Sequence, residues 1–499
     1  MAKPTYLGRI LLAILLMISF YTLAVLFAAT LIMIPVAELV FVRRLHLQIA
    51  IPAVIGGIMI LISVFPRWDR FIPPGPKLTE SDQPELFRHL QGIAQATEQA
   101  MPSEVYALPE MNAWVTNRGG FMGLGSRRVM GIGVPLMQVL STEQFRGVLA
   151  HEFGHYYGGD TKLGPWFFVT RSAIIRTVMN LADSGSNILR KPFEWYLRLF
   201  LWLTERVSRQ QEFTADEIAA KTVGPNAIGE ALKVIHSQGL AFQVYWEQEF
   251  GAVLNQGYHP PMASGFREFL DAPNVQDSIA KALDHALSHS EGSIYDSHPP
   301  LKDRLEAVAK VEGPKSPSHD PPAINWLKNV DQLENQMILH LFKTAGVSSP
   351  KTVSWSDVGN QVFVPFWSKY LNDISGNLKG ITLWQASEML ESDEFRRKLL
   401  NPEIVRHAPE EAQKQLAISI VGLGAIVALS REGWSIQSLP GRPPYATKGE
   451  EKLEPAAWIE GFLEKKHTLE ELQDYFEACG IDDVEIESLK DKGTQAAKA

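Results

Sequence analysis

Hydrophobic and polar positions are distributed very unevenly along this chain. From Ile10 to Ala37 there is no charged side chain, and Leu, Ile, Ala and Phe dominate. As a helix that run would be roughly 42 Å long, more than the roughly 30 Å hydrocarbon core of a bilayer. A second uncharged run, Leu47 to Pro66, is just long enough to span, and its Pro52 and Gly56-Gly57 pair are tolerated in membrane helices. A cleaved signal peptide has an apolar region of only about 7–15 residues. The pattern predicts a retained transmembrane helical hairpin in residues 1–75, with spans at about 10–37 and 47–66. Lys3 and Arg9 precede the first span and Arg67, Arg70 and Lys77 follow the second, while Arg43 and Arg44 sit between them. The excess on the outer flanks places both ends of the hairpin in the cytoplasm.

Pro73-Pro74-Gly75-Pro76 makes a stiff exit that cannot continue a helix. Residues 82–100 have a helical period, with Leu86, Leu90 and Ile93 on one face. Short strands are expected at Val105 to Leu108, Ala113 to Thr116 and Val129 to Val134, with a turn at Asn117 to Gly120. Ser141 and Gln144 form a capping box opening a helix striped by Phe145, Val148 and Leu149, which Gly158-Gly159 ends. Residues 161–207 are apolar but broken by Arg171, Arg176, Arg190, Lys191 and Arg198. A helical pair lying at the membrane surface is the expectation there, with helices packed inside the soluble domain as the alternative. The proline-rich stretch 313–322 is the candidate boundary between a domain at 76–312 and a C-terminal region at 313–499. Within the latter, Leu416 to Leu429 is short for a span and reads as a buried core segment. Thr468 and Glu471 cap a further helix that Gly480 closes.

Composition changes this picture little. The 499 residues are 45% hydrophobic and 21% charged, with a net charge of −9, which suits a folded chain of more than one domain. No basic block points to nucleic acid, and the single cysteine, Cys479, excludes an internal disulfide.

The chemistry concentrates in Leu149-Ala150-His151-Glu152-Phe153-Gly154-His155. Histidines at i and i+4 lie one turn apart on one helix face, so both imidazoles can reach one zinc ion. Glu152 is then placed to take a proton from a metal-bound water. Two surface histidines and a glutamate would meet this way by chance at a rate of roughly a few per cent at most, before a cap and apolar flanks are asked for. A hydrolytic zinc site needs a third protein ligand. Glu212 and Asp216 form another i, i+4 pair: one carboxylate can bind the metal while the other orients a ligand histidine. Taken alone, that pair is at least as well read as a solvated acidic face.

The HExxH helix, the segment Ser208 to Asp216 and Ser297-His298-Pro299-Pro300 with Arg304, following paired membrane spans, resemble the membrane zinc endopeptidases of the HtpX and CAAX-prenyl-protease type. The resemblance covers roughly residues 1–312. It implies one zinc ion per chain bound by His151, His155 and Glu212, with Glu152 as general base, Asp216 and Arg304 behind the ligands, and His298 near the substrate carbonyl, steadying the oxyanion or covering the metal in a resting state. It also implies that Asn112-Ala113 opens an edge strand on which a protein or peptide substrate lies extended. Tyr258-His259-Pro260-Pro261 repeats the His-Pro-Pro pattern without the arginine, and His259 is assigned to a surface turn.

The expected fold is mostly α with a small β-sheet: an N-terminal transmembrane hairpin, a zincin-type metallopeptidase domain and a C-terminal α+β tail. The expected function is hydrolysis of internal peptide bonds in misfolded or membrane-associated proteins, by a multi-pass protein of the bacterial inner membrane whose catalytic domain faces the cytoplasm. The partners are protein substrates and the lipid bilayer, with no nucleic acid. The rival readings are an inactive membrane scaffold retaining the zinc fold and a zinc hydrolase of non-peptide substrates. A scaffold has no use for the general base that HExxH retains.

Overall fold

The computed structural model describes residues 6–65, 68–69, 71–121, 125–155, 164–185, 187–288, 298–374, 378–400 and 402–489. The expected glycine stop at Gly158-Gly159 and Ser297 lie outside these residues. The chain divides into two compact units, Met1–Gln238 with Lys281–Leu333, and Gly239–Ala280 with Glu334–Ala499. The segment 313–322 lies wholly inside the first unit.

In the first unit, α1 (Tyr6–Ala37) and α2 (Leu47–Val64) form the apolar hairpin. Small residues set its spacing. A Cβ added at Gly57 would stand 2.8 Å from the Ala28 carbonyl oxygen and 2.7 Å from an Ile32 side-chain carbon. Two short strands follow, β1 (Trp68–Asp69) and β2 (Lys77–Leu78), then α3 (Pro84–Ala96), which buries Leu86, Leu90 and Ile93. The strands β3 (Glu104–Leu108), β4 (Ala113–Arg118), β5 (Gly120–Phe121) and β6 (Arg127–Gly133) come next. The order β2-β3-β6-β4 makes a 4-stranded sheet with β4 at its edge, while β5 pairs separately with β1. Only β3 and β6 run parallel; β2 and β4 are antiparallel to their neighbours. A short helix, α4 (Val134–Val139), leads to α5 (Thr142–Gly154), whose Ser141–Gln144 capping box is formed.

Next come α6 (Gly164–Asp183), α7 (Asn187–Val223) and α8 (Pro225–Val244). The surface-lying pair expected at 161–207 is not what the chain builds. Ala173, Ile174 and Leu181 of α6 and Phe193, Tyr196 and Phe200 of α7 share one buried cluster with Phe20, Ala24 and Ala28 of α1 and Ile60 and Val64 of α2. Of the charged residues that argued for the membrane surface, Arg176 turns inward, while Arg171, Lys191 and Arg198 stay exposed, and other polar groups also bond to the hairpin. Arg176 donates to the Ser63 carbonyl at 3.1 Å, Asn180 to Ser63 Oγ at 2.8 Å, and the Tyr196 hydroxyl to the Leu16 carbonyl at 2.6 Å.

The second unit has its own core, built around the helix Glu410–Arg431 and including Ala417, Val421, Ala425 and Leu429. Three helices among the described residues are long and apolar enough to cross a membrane: Ile14–Val42, Leu47–Val64 and Glu410–Arg431, with 11%, 39% and 61% of the apolar window buried. The third differs from the others because its apolar face is spent on that core. The Thr468–Glu471 capping box of the helix Leu469–Ala478 is formed. His259 is not in a surface turn. It is buried in the strand Tyr258–His259, which pairs in parallel with Lys351–Thr352. Pro260 and Pro261 cannot extend that strand, yet the strand itself is paired and covered.

Candidate active site

The site is assembled by a close crossing of α5 and α7. A Cβ on Gly154 would meet Ala215 Cα at 3.0 Å, and one on Gly147 would meet a Val223 side-chain carbon at 3.0 Å. Small residues therefore let the two helices approach until the polar face of α7 lies on the histidines of α5. Phe145, Leu149, Ala150 and Phe153 bury the opposite side of α5 and fix its rotation.

His151, His155 and Glu212 present ligand atoms that all lie within 4.8 Å of one another. His151 Nε2 is 3.5 Å from Glu212 Oε2, and His155 Nε2 is 3.6 Å from Glu212 Oε1. A tetrahedral ion held at about 2.0–2.1 Å separates its ligand atoms by about 3.4 Å, so these spacings fit one ion. Glu212 Oε2 is buried with no aligned hydrogen-bond donor, although His298 Nδ1 stands 2.8 Å away. An orphaned carboxylate oxygen between imidazoles is the donor chemistry a cation completes.

Behind this triangle runs a chain of buried polar groups. His151 Nδ1 lies 2.9 Å from Asp216 Oδ1, although the ring N–H does not point squarely at that oxygen. Arg304, on the helix Leu301–Val308, grips Asp216 in a fork, Nε to Oδ2 at 2.8 Å and Nη2 to Oδ1 at 2.7 Å. Burial alone would raise the Asp216 carboxyl, but the Arg304 fork and the adjacent His151 ring outweigh it and hold it below its ordinary value. Burial likewise opposes the charged form of Glu212, and the adjacent His151 and His298 imidazoles outweigh it, keeping that carboxyl ionised. His151 is disfavoured as a cation by burial, yet Asp216 and Glu212 push it up to about 9. His155 has only a weaker share of those carboxylates, so burial and the His151 charge take it down to about 4.

Glu152 behaves differently from its neighbours. Burial pushes its carboxyl up to about 7, with the Glu212 charge acting in the same direction against His151 and a hydrogen bond from the Val115 backbone N–H. A carboxyl that titrates near neutrality can both accept and return a proton at working pH. The Val115 bond also ties Glu152 to β4. Since the Asn112 carbonyl faces β6, accepting from Gly133 N–H at 2.8 Å, the alternate residues Ala113 and Val115 face the outer edge.

A cavity of about 490 Å³ opens beside these groups, lined by Asn112 and Ala113, His151 and Glu152, and His298 and Arg304. Asn112, Ala113, His151, Glu152, His298 and Arg304 line this cavity, His155 and Glu212 complete the triangle beside it, and Asp216 lies in the polar chain behind, whereas His259 lies elsewhere, in the strand Tyr258–His259. Sequence reasoning missed the apolar wall from α8, Ile228, Leu232 and Ile235. Its i, i+4, i+7 spacing was legible as a helix face, but not as a face turned toward a cleft. It missed the Val115 contact as well, because a backbone donor leaves no trace in side-chain identity.

Residues 80–312 match the family model described as Peptidase family M48. This segment is an M48 peptidase domain of the HtpX type. Protease HtpX of Pseudomonas putida strain GB-1 is 24% identical over 278 residues, covering 52% of this chain and 83% of the relative. A protein named Protease HtpX homolog from Acaryochloris marina strain MBIC 11017 is 26% identical over 217 residues, 40% of this chain and 71% of its own length. Another of that name, from Burkholderia mallei strain SAVP1, is 25% identical over 228 residues, 42% of this chain and 77% of its own length. No solved structure matches the chain. Together with the apolar helical pair, the M48 match over this segment and the HtpX-named relatives support a membrane metalloprotease, and a protease family implies peptide substrates.

Proposed function

We propose that this protein is a zinc-dependent endopeptidase of the inner bacterial membrane, with its M48 domain on the cytoplasmic side and one zinc per chain. The His151–Glu212–His155 triangle, with edges of 3.5 and 3.6 Å, carries the reading. Two imidazoles and one carboxylate, leaving a fourth position open, form the ligand set of hydrolytic zinc. When bound, the ion would acidify water and polarise the scissile carbonyl. Asp216, held by Arg304, would orient His151 as a metal ligand. Glu152 takes a proton from the attacking water as its oxygen bonds to the carbonyl carbon. It then delivers that proton to the departing amine as the C–N bond breaks. His298, whose Nδ1 stands 2.8 Å from Glu212 Oε2, would donate to the oxyanion from the mouth of the site. The outer edge of β4, which Asn112 precedes and along which Ala113 and Val115 face outward, supplies an edge for an extended peptide backbone, which selects for unfolded conformation rather than sequence. Misfolded or membrane-associated proteins are the substrates this favours.

The test is proteolysis of an unfolded protein by the purified full chain, with and without chelator, beside Glu152→Gln. Cleavage should stop with chelator and return with zinc. Glu152→Gln should be inactive while still binding one zinc per chain. Chelator-insensitive cleavage, or a folded Glu152→Gln protein without metal, overturns the assignment.

A further inference from the structure

The edge strand and the membrane exit are joined by a clasp that places the cleavage site relative to the bilayer. α2 ends at Val64, and β1, Trp68–Asp69, lies immediately beyond it. β1 pairs with β5, Trp68 opposite Phe121 and Asp69 opposite Gly120. β5 in turn directly follows β4, the strand at the sheet edge. The Arg118 and Arg127 guanidinium groups stand 5.5 and 5.9 Å from the centroid of the Phe71 ring, closing the clasp with cation–π contacts. β4 therefore has one end, Ala113, on the catalytic cavity and the other, Arg118, tied to the first residues out of the membrane.

Resting on the peptidase reading above, we propose that the enzyme cuts polypeptides anchored in its own bilayer, at a fixed short distance from the membrane boundary. A chain leaving the bilayer meets the Arg118 end of β4 first and pairs along the edge until its backbone reaches Glu152, which Val115 marks. The strand from Arg118 back to Val115 covers about 10 Å at about 3.3 Å per residue. The link from Val64 to Trp68 adds at most about 14 Å. An extended substrate is therefore cut about three to seven residues from the boundary. This distance is set by the enzyme's covalent connection to its own membrane helix, so it does not depend on the substrate's sequence.

The experiment places the full chain with zinc in proteoliposomes with a substrate carrying one transmembrane anchor and an unfolded tail, and maps the first cut by mass spectrometry. A second substrate has ten polar residues inserted between the anchor and the original tail. The cut should remain about three to seven residues from the membrane in both, falling within the insert in the second. In detergent micelles, where no planar surface holds the substrate beside the enzyme, the cuts should spread along the tail. First cuts that follow the original sequence outward by the length of the insert overturn the ruler while leaving the peptidase reading intact. The same holds for cuts scattered along the tail in liposomes. No cleavage of either substrate, nor of soluble unfolded protein, overturns the peptidase reading itself.

Discussion

Removing Asp216 should separate what the buried polar chain does for stability from what it does for the metal. Asp216 is buried, receives both donors of Arg304 at 2.7 and 2.8 Å, and stands 2.9 Å from His151 Nδ1. Asp216→Ala leaves the buried Arg304 guanidinium without its fork partner and with only the looser Glu212 Oε2 contact at 3.7 Å, and breaking a buried pair of that kind costs about 3–5 kcal/mol. At about 2–4 °C per kcal/mol for a domain of this size, the unfolding midpoint of the metal-free enzyme should drop by about 6–20 °C. Metal affinity should fall about 10–100-fold, because His151 loses the group that orients its ring. The double variant Asp216→Ala with Arg304→Met removes both charges and should regain most of the midpoint, but none of the affinity. The Asp216 carboxyl is held below its ordinary value, so its contribution is complete above the unfolded carboxylate pKa, near 3.9, and is lost as pH falls through the folded value. The gap between wild type and Asp216→Asn should accordingly be full at pH 7 and close in strong acid. The assay is a thermal melt in one detergent at several pH values, with zinc titrated against a competing chelator. An Asp216→Ala protein as stable as wild type, or a double variant that recovers wild-type affinity, refutes the reasoning.

Glu212→Ala should weaken zinc binding far more than Asp216→Ala, and equilibrium dialysis ranking them in reverse would exchange the two roles. His298→Ala should lower kcat by about 10²-fold or more with zinc retained, the scale of a single oxyanion donor. His259→Ala should instead lower the midpoint of the second unit, because its buried ring faces Thr352 Oγ1 at 3.3 Å, while the folded enzyme keeps its kcat. A crippled kcat in folded His259→Ala would reverse the two histidines. Reporter fusions after Pro76 and at the C terminus should both signal the cytoplasm, and a consistent external signal would place the M48 domain on the other face.

Local interactions made a good part of this protein readable from its sequence. The hairpin spans follow from uncharged length, the start of α5 from the Ser141–Gln144 box, and the shared face of His151 and His155 from helical spacing, all set within a few residues. The pairing of Glu212 with those histidines was suggested by motif order alone. Only the approach of α5 and α7 over Gly154 and Ala215 decided it, since a helix–helix crossing depends on residues distant in sequence packing at van der Waals distance. Tertiary packing also reversed two expectations. The arginines of α6 and α7 suggested a surface pair because charge usually seeks water, but Arg176 finds the Ser63 carbonyl inside the bundle. His259, read as a turn from the prolines after it, is buried because another strand, Lys351–Thr352, comes to cover it. The clasp of β1 on β5 was likewise invisible from sequence. Two-residue strands have no periodicity of their own, and only the fold brings the membrane exit to the end of the edge strand.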